Sequence, residues 1–404
     1  MPTFNRAGYV TQSIESVRQQ MRADDSLLVL DDGSTDGTEA AIAPIVKADP
    51  RIGYQRQDNA GKSVALNRAI AATSGDLVWI CDDDDLLRPD AVATLLDRQG
   101  RDESAFTFGR YTRFRDTHDG VRVDLGTGYW PDLAAGGLAR HLLEDLFIFH
   151  NATVVPRRLY QLIGPFSETL PRSVDYEMFL RLALSFPCRF VDHLIFDQRQ
   201  HEGARGPVAA RHAASASATM WRACDRRIFE NMRDHVPTGF FESLFDAPDP
   251  HQRQRAALLQ RACIGARRAC WVEAAADFAA AATLVPTLPL DPGEAAICRR
   301  ALAGKFGLAD SADDAVAALA PLRASARGRE ILIAMIDGAL WRLHGYEPGD
   351  DRAIRQLMRR LLGPVGLARL GLGRLGGGGT ARVVERPEPA YLAPGTLPAV
   401  SANA

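Results

Sequence analysis

The sequence predicts an α/β fold over about the first 206 residues, followed by a mainly α-helical region. Three observations support this prediction. Apolar runs typical of strands and amphipathic segments typical of helices alternate along the first 100 residues. Four consecutive aspartates directly follow one of the apolar runs. From about residue 207 the segments become rich in alanine and arginine, with helical spacing. The alternation in the first part implies a parallel sheet with right-handed crossovers.

The strand and helix segments of the first 100 residues follow one another in a regular order. Short apolar runs indicate strands, and apolar residues that recur on one face indicate helices. In chain order we expect a helix with Val10, Ile14, Val17 and Met21 on one face, a strand over 27–30, a helix that opens at 36–38, a strand over 52–56, a helix with Val64, Ala65, Ala69 and Ile70 facing inward, and a strand over 77–81.

The segment before the first helix is short. Residues 1–6 are turn-like, and the apolar strand that should open such a sheet does not precede them. The sequence therefore predicts either that translation begins upstream or that the sheet lacks a strand. We expect the first strand to be truncated.

Beyond residue 100 the pattern is mixed. Residues 104–114 and 121–123 can pair as a hairpin, and residues 136–146 and 175–186 have helical spacing. The last thirty residues contain four consecutive glycines and are rich in proline and alanine, a composition typical of disorder. We expect three parts: an α/β domain over 1–206, a mainly α-helical region over 207–375 and a disordered tail over 376–404.

The composition excludes several classes of protein. The 404 residues include 48 basic and 50 acidic side chains, and the net charge of −2 gives no field that would attract nucleic acid. None of the six cysteines forms a C-x-x-C pair, which argues against a zinc site and a disulfide framework and fits a reducing compartment. No apolar run is long enough to span a bilayer. We expect a soluble, cytoplasmic protein with no nucleic-acid partner.

The acidic run, Asp82–Asp85, directly follows the predicted strand 77–81. Open α/β sheets bind ligands at the carboxyl ends of their strands. Like charges this close raise each other's pKa, and a divalent cation would offset them. Oxygen ligands favour magnesium or manganese, which in turn hold phosphates. The alternative is a solvated acidic N-terminus for the helix that starts near Pro89.

Two further segments carry polar groups at the ends of strands. Asp31–Thr38 offers carboxylates for a base or ribose and then backbone N–H groups at a helix start. Asn59–Ser63 brings Lys62 to a helix start, where it suits a diphosphate. This second segment is not a P-loop, because the Walker pattern needs a glycine where Arg56 stands.

Taken together, these motifs resemble those of the family 2 glycosyltransferases, inverting enzymes of the GT-A fold. The resemblance covers about residues 1–206. It implies a nucleotide-binding αβα sandwich that uses a nucleotide-diphosphate sugar and Mg²⁺ or Mn²⁺ to transfer a hexosyl group. The motifs, in the family's order, are Pro2–Arg6, Asp31–Thr38, Asn59-x-Gly61-Lys62 with Asn67, and Asp82–Asp85 followed by Pro89.

The resemblance also implies roles for individual residues. The family's base-binding positions correspond to Thr3, Phe4 and Asp32, with Asp31 as a neighbour. Lys62 falls in the segment that contacts the diphosphate. The Asp-x-Asp motif corresponds to Asp82 and Asp84, and Asp84 is the expected direct metal ligand.

The family's general base usually lies in an acidic pair at the start of a helix, after a Gly-x-Phe-(Asp/Ser)-Glu stretch. Here Gly164–Glu168 matches that stretch and Asp175 matches the base. The position before it, commonly acidic, is Val174, so the pair is reduced to one member. The alternative is that Asp175 is a helix N-cap.

Three other candidates rest on weaker signals. His201 lies in a segment, Arg199–Gly206, that resembles the one closing the domain in many members, where a histidine can bind the metal or diphosphate; the alternative is a lone surface histidine. His150 and Asn151 are acceptor-side candidates. The basic stretch Arg355–Arg374 could lie on an anionic membrane surface or form a solvated helix face.

The sequence thus predicts a metal-dependent inverting glycosyltransferase. Its partners would be a nucleotide-diphosphate sugar donor and a glycan, lipid-linked or protein acceptor, with peripheral association at the inner face of the membrane as a further expectation. Two alternatives are a nucleotidyltransferase, which would release pyrophosphate, and a truncated non-catalytic protein whose helical half mediates interactions.

Overall fold

The computed structural model describes residues 1–133, 136–201, 217–305, 308–341, 350–363 and 381–402. The chain divides into two compact units, and both are built from segments that are separate in sequence. The first unit comprises Met1–Pro131, Phe147–Cys224 and Tyr391–Ala404, and the second comprises Asp132–Leu146 and Asp225–Ala390. This division differs from the predicted boundary at residue 206, because a segment inside the α/β part belongs to the second unit.

A three-stranded parallel sheet opens the first unit, in the order β1-β2-β3. Its core contains Val10, Ile14, Val29, Ile42 and Ile52, which are buried. These are the apolar positions that defined the predicted helices and strands. The elements are β1 (Pro2–Thr3), α1 (Val10–Arg18), β2 (Leu27–Asp31), α2 (Thr38–Ala48), β3 (Ile52–Arg56) and α3 (Lys62–Ala72).

The first strand is short but present. Pro2 pairs with Leu30 and Thr3 with Asp31 in parallel register. The amino group of Met1 donates a hydrogen bond to the carbonyl of Leu28 at 2.8 Å. A two-residue strand therefore lies where the sequence predicted a truncated one.

The second sheet has six strands, in the order β4-β8-β6-β9-β5, with β7 paired to β6. It is mixed: β6 and β9 are parallel, and the other pairs are antiparallel. The predicted parallel sheet is therefore correct only for the first three strands. After Gln99 the chain forms the predicted hairpin, and a tight hairpin joins only antiparallel strands. The strands are β4 (Leu77–Trp79), β5 (Leu86–Leu87), β6 (Phe106–Asp116), β7 (Arg122–Gly126), β8 (Thr153–Pro156) and β9 (Cys188–Arg199).

Three more helices complete the described part of the first unit: α4 (Ala91–Gln99), α6 (Arg157–Ile163) and α7 (Val174–Ser185). Helix α7 is buried along almost all of its length. Its Arg181 pairs with Glu177 at 2.8 Å and donates to the carbonyl oxygens of Ile163 and Pro165. This buried pair holds the loop before α7 against the helix, and so fixes where the first turn of α7 lies.

The second unit is helical, as predicted for the carboxyl-terminal region. A buried ion pair between Arg255 and Glu294, at 2.6 Å, joins two of its helices. The helices are α5 (Leu138–Glu144), α8 (Ser217–His235, which crosses the boundary between the units), α9 (Thr238–Ser243), α10 (Pro250–Arg267), α11 (Trp271–Leu284), α12 (Pro292–Arg300), α13 (Ala312–Leu319), α14 (Ala326–Trp341) and α15 (Asp350–Leu357), and the short strands are β10 (Phe245–Asp246) and β11 (Val384–Glu385). Among the described residues, no helix is both long and apolar enough to cross a bilayer.

Residues 381–402 are packed rather than disordered. Val383, Leu397 and Val400 are buried. The carbonyl of Val400 accepts hydrogen bonds from the hydroxyls of Ser167, at 2.5 Å, and Thr169, at 2.8 Å. The composition of residues 376–404 predicted a disordered tail. Composition alone does not indicate that a few apolar residues of this segment become buried in the fold. Residues 376–380 and 403–404 lie outside the described part of the chain.

Candidate functional site

The carboxyl ends of β1 and β2 bring together the residues that the sequence assigned to base binding. The backbone N–H of Asp32 donates to the carbonyl of Thr3 at 2.9 Å, so the two strand ends lie side by side. The Asp31 carboxylate accepts from the backbone N–H of Ser34 at 2.8 Å and from the hydroxyl of Tyr54 at 2.6 Å. Phe4 follows β1 and is half-buried. Asp31 thus shapes the turn after β2.

Asp32 holds the loop that leads into α3. One carboxylate oxygen accepts from the side-chain amide of Gln57 at 2.6 Å and from the backbone N–H of Ala60 at 2.8 Å. The other accepts from the side chain of Asn59 at 3.0 Å and from the backbone N–H of Gly61 at 2.8 Å. With four donors on one buried carboxylate, Asp32 positions the residues immediately before Lys62.

Lys62 begins α3 and lies between two acidic groups. Gly61, just before it, has a φ of 95°, a conformation that favours glycine and turns the chain into the helix. The Lys62 ammonium is 2.8 Å from the Asp82 carboxylate and 3.6 Å from the Asp175 carboxylate. Burial disfavours its charge, but Asp175 and Asp82 outweigh burial and raise the pKa of Lys62. It therefore remains a cation.

The acidic run leaves β4 and divides into inward and outward members. Asp85 is buried and accepts from the side chain of Asn151 at 2.6 Å and from the backbone N–H of Arg199 at 2.8 Å. The Asn151 side chain also accepts from the backbone N–H of Asp82 at 2.7 Å. Asn151 and Arg199 thus fix the backbone of the run, so that Asp85 has a structural role.

Asp83 and Asp84 face a cation and a histidine. The Arg6 guanidinium nitrogen Nε is 3.7 Å from Asp83 and 3.6 Å from Asp84. The ring nitrogen Nε2 of His201 is 2.9 Å from Asp84. His201 is therefore not a lone surface histidine, because it is largely buried against the acidic run.

The four carboxyl groups do not share the same electrostatics. Burial, together with neighbouring carboxylates, raises the pKa of Asp82 and raises the pKa of Asp83 to about 7. Burial and the neighbouring carboxylates also raise the pKa of Asp85. Burial alone would raise the pKa of Asp84, but the hydrogen bond from His201 and the charge of Arg6 lower it. Asp84 is thus the carboxyl group of the run that stays ionised. The raised pKa values of the other three mean that the surrounding groups do not fully stabilise their negative charge.

Asp175 lies in the first turn of α7, and its neighbours come from two other elements. Its Oδ1 is 3.6 Å from the Lys62 ammonium and 3.5 Å from Nε2 of His150. Burial would raise the pKa of Asp175, but Lys62 and His150 outweigh burial and lower it. The N-cap residue of α7 is Ser173, so capping does not account for Asp175.

A divalent cation fits this donor set if substrate oxygens complete its coordination. Among the described residues, no three His, Cys, Asp or Glu side chains are gathered closely enough to hold a metal ion. Asp84 and His201 offer an ionised carboxylate and an imidazole next to two further carboxyl groups, those of Asp82 and Asp83. Mg²⁺ in nucleotide sites is commonly held by one or two carboxylates together with phosphates and water. Asp84 and His201 therefore fit the protein's share of such a site.

Sequence reasoning missed three parts of this arrangement. It included Arg6 in a motif without giving it a role, yet Arg6 faces two of the four aspartates. It gave no role to Arg199, which is buried behind the run. It placed Asn151 on the acceptor side, whereas Asn151 holds the backbone of the run. These roles depend on contacts between residues about 70 to 115 positions apart, and no local pattern signals such contacts. Of the segment Arg199–Gly206, residues 202–206 lie outside the described part of the chain.

An α/β unit that gathers buried carboxylates, a lysine and helix starts at the carboxyl ends of its strands belongs to the class of nucleotide-binding domains. Residues 1–159 match the family model described as glycosyl transferase family 2. This match agrees with the predicted resemblance to the family over these residues, which make up less than half of the chain.

Two curated relatives align with about half of this chain. It is 28% identical over 202 residues to a chondroitin synthase of Escherichia coli, an alignment that covers 50% of this chain and 28% of the relative. It is 30% identical over 184 residues to a hyaluronan synthase of Pasteurella multocida, covering 45% of this chain and 18% of the relative. The match thus spans less than a third of either relative.

A similar solved structure is the crystal structure of S. aureus TarS 1–349 in complex with UDP-GlcNAc, with a TM-score of 0.47, 16% identity and coverage of 89% of this chain and 88% of that one. The mannosyltransferase PcManGT from Pyrobaculum calidifontis, in complex with GDP-Man and Mn²⁺, has a TM-score of 0.44 and 17% identity over 85% of this chain and 86% of that one.

Replacing Asp32 with alanine should loosen the loop over 57–61. The change removes the acceptor of four partly buried hydrogen bonds, and such a bond contributes about 0.5–1.5 kcal/mol to stability. We expect a lower melting temperature and faster trypsin cleavage at Lys62. The rate of cleavage is measured by mass spectrometry of the peptides. Asp58→Ala, at an exposed position of the same loop, is the matched control. Equal cleavage rates for the two variants would show that Asp32 does not hold the loop.

Proposed function

We propose that this protein is an inverting glycosyltransferase that moves a sugar from a nucleotide-diphosphate donor to an acceptor hydroxyl. The observation that carries the proposal is the position of Lys62, whose ammonium lies 2.8 Å from Asp82 and 3.6 Å from Asp175. One cation thus faces both the acidic run, the expected donor side, and the carboxylate expected to act on the acceptor. The match of residues 1–159 to the family model described as glycosyl transferase family 2 supports the same activity.

The donor would bind across the carboxyl ends of β1 and β2. Thr3, Phe4, Asp31 and Asp32 would form the base-binding part, with the oxygens of Asp32 shared between the loop and the nucleotide. Lys62 would face the diphosphate and neutralise the charge that develops on it as it leaves. Binding the nucleotide far from the reacting carbon fixes the geometry of the reacting groups.

Asp84 and His201 would hold a Mg²⁺ or Mn²⁺ ion, with Asp82 beside it. When bound, the ion would supply positive charge to the diphosphate oxygens. The lowered pKa of Asp84 suits this role, because only the ionised carboxylate binds a metal. The raised pKa of Asp83 is what we expect of a carboxyl group beside the ion site when no bound cation offsets its negative charge.

Asp175 would act as the general base. The acceptor hydroxyl oxygen forms a bond to the anomeric carbon, and the bond from that carbon to the diphosphate oxygen breaks. The hydroxyl proton moves to the Asp175 carboxylate, and the bonding electron pair leaves with the nucleoside diphosphate. The lowered pKa of Asp175 keeps it ionised and ready to accept the proton at neutral pH.

A glycan is the acceptor class to test first, because the relatives include a chondroitin synthase and a hyaluronan synthase. Lipid-linked and protein acceptors are the other two classes. The product separates this activity from a nucleotidyltransferase: transfer to carbon releases a nucleoside diphosphate, whereas attack at phosphorus releases pyrophosphate. A non-catalytic protein would release neither from a panel of nucleotide sugars.

We also propose that the second unit contacts an anionic membrane surface through α15. Arg352, Arg355 and Arg359 are exposed on this helix and the turn after it, while the apolar Ile354 and Leu357 are buried. The contact would therefore be electrostatic, at about 1 kcal/mol per arginine. The remainder of the predicted basic stretch, residues 364–374, lies outside the described part of the chain.

Charge reversal tests the membrane contact. R352E/R355E/R359E should lower co-sedimentation with vesicles that contain phosphatidylglycerol by about tenfold or more at low salt. A control with the same change in net charge is R98E/R101E/R158E, at exposed positions of the first unit. If both triple variants lose binding equally, net charge rather than α15 is responsible. Wild-type protein that stays in the supernatant would disprove the contact.

Asp84→Asn should abolish metal-dependent binding of the donor and leave the fold intact. The amide cannot supply the charge that a hard cation requires. The measurement is the rise in melting temperature caused by a panel of nucleotide sugars, with and without Mn²⁺, since a ligand that binds only the folded state stabilises it by mass action. Asp97→Asn, at an exposed position of α4, is the control. An unchanged Mn²⁺-dependent rise in Asp84→Asn would remove Asp84 from the metal site.

Asp175→Asn should remove turnover while donor affinity stays within a few-fold of wild type, because Asp175 acts on the acceptor. Loss of a general base lowers the rate by about two to four orders of magnitude. Turnover is measured as nucleoside diphosphate released in the presence of acceptor, and donor affinity by the same thermal shift. Near-normal turnover in this variant would assign the base to another residue.

A further inference from the structure

His150 contacts the candidate base from outside its helix. It begins the short 3₁₀ turn His150–Ala152 just before β8, and its side chain is 1% exposed. Nε2 of the imidazole is 3.5 Å from Oδ1 of Asp175. Among the described residues this buried nitrogen has no hydrogen-bond partner. The nearby carboxylate oxygen is therefore the acceptor within its reach.

Two aromatic rings fix the orientation of the imidazole. It stacks on Phe179, with ring centroids 4.5 Å apart and an angle of 29° between the planes. Phe166 meets it edge-on at 5.4 Å. Phe179 follows Asp175 by four positions on α7, so both lie on the same face of the helix. The ring cannot turn away from Asp175 without losing the contact with Phe179.

The imidazole is neutral at physiological pH. Burial lowers the pKa of His150 to about 4; Asp175 opposes this shift, and Lys62 adds to it. These two groups are the charges that face the ring. A neutral ring carries one proton, and a buried nitrogen beside a carboxylate is satisfied only when that nitrogen carries it. The geometry therefore favours the tautomer with hydrogen on Nε2.

We propose that His150 is a positioning residue for Asp175: its Nε2–H, together with Lys62, holds Oδ1 and turns Oδ2 toward the acceptor hydroxyl. The proposal rests on the function proposed above. Lys62 and His150 both approach Oδ1, at 3.6 Å and 3.5 Å. Because Oδ1 faces both groups, Oδ2 would be the oxygen that takes the proton.

The alternative is that His150 only fills space between Phe179 and Phe166. The two roles differ in what a substitution does. A residue that only packs can be replaced by another ring without effect on the base. A positioning residue cannot, because its donor stabilises the ionised carboxylate and its loss raises the pKa of Asp175.

The test compares His150→Phe, which keeps the ring, with His150→Gln, whose side-chain N–H₂ can take the place of Nε2–H. Turnover depends on ionised Asp175, so its acid limb follows the pKa of that group. We expect the acid limb of kcat in His150→Phe to move to higher pH by about one unit, as suits the loss of one hydrogen bond to a charged group. His150→Gln should recover most of this shift, and donor KM should stay within a few-fold in both. A wild-type profile in His150→Phe would overturn the proposal.

A second measurement does not depend on activity. Nitrogen NMR of histidine-labelled wild-type protein, assigned by the signal missing from His150→Gln, reports the charge and tautomer of the ring. We expect a neutral ring protonated at Nε2 from about pH 6 to about pH 8. A cationic ring, or a proton on Nδ1, would overturn the proposal. Absence of transfer by the wild type with an Nε2–H ring would instead count against the proposed activity alone.

Discussion

The candidate site depends on one cation, the ammonium group of Lys62. Lys62 lies between Asp82 and Asp175, which belong to elements about 90 residues apart in the chain. Without it, two carboxylates and their acidic neighbours would face each other in a poorly solvated space, where like charges repel strongly. The positions of β4, α3 and α7 are thereby linked through charge as well as through packing. In the proposed reaction, the leaving diphosphate and the attacking hydroxyl would lie on opposite sides of the Lys62 ammonium group.

The other polar contacts of the first unit hold this cation and its partners in place. Asp32 binds the loop before Lys62 through four hydrogen bonds, and Asn151 ties the backbone of the acidic run to the start of β8. Arg181 and Glu177 fix the loop before α7. Each of these groups is buried and paired, and removal of either partner would leave an unsatisfied polar group. The site is therefore supported by residues that need not touch a substrate.

In the acidic run, burial and neighbouring groups give four identical side chains different roles. Asp85 points inward and is held by backbone and amide donors. Asp84 lies beside His201 and Arg6, which lower its pKa, while the pKa of Asp83 is raised to about 7. The protein thus keeps one carboxylate ionised and leaves excess negative charge next to it. Under the proposed function, a divalent cation bound with its phosphate ligands would balance that charge.

The sequence by itself determined the alternation of strands and helices in the first 100 residues, the hairpin after α4 and the helical character of the second unit. It also placed Asp84, Lys62 and Asp175 at the ends or starts of elements. These features follow from local periodicity and from motifs whose spacing is fixed within a few residues. The predicted disordered tail did not hold for residues 381–402, because burial of Leu397 and Val400 depends on a surface that exists only after folding.

The tertiary structure decided what these residues do to one another. It brought Arg6 to Asp83 and Asp84, His201 to Asp84 and His150 to Asp175, and it decided that Asp85 is structural. It also placed the segment 132–146 in the second unit and made the second sheet mixed. All these outcomes depend on pairs of residues far apart in the chain, and the free energy of such a contact comes from burial and geometry that no single segment contains.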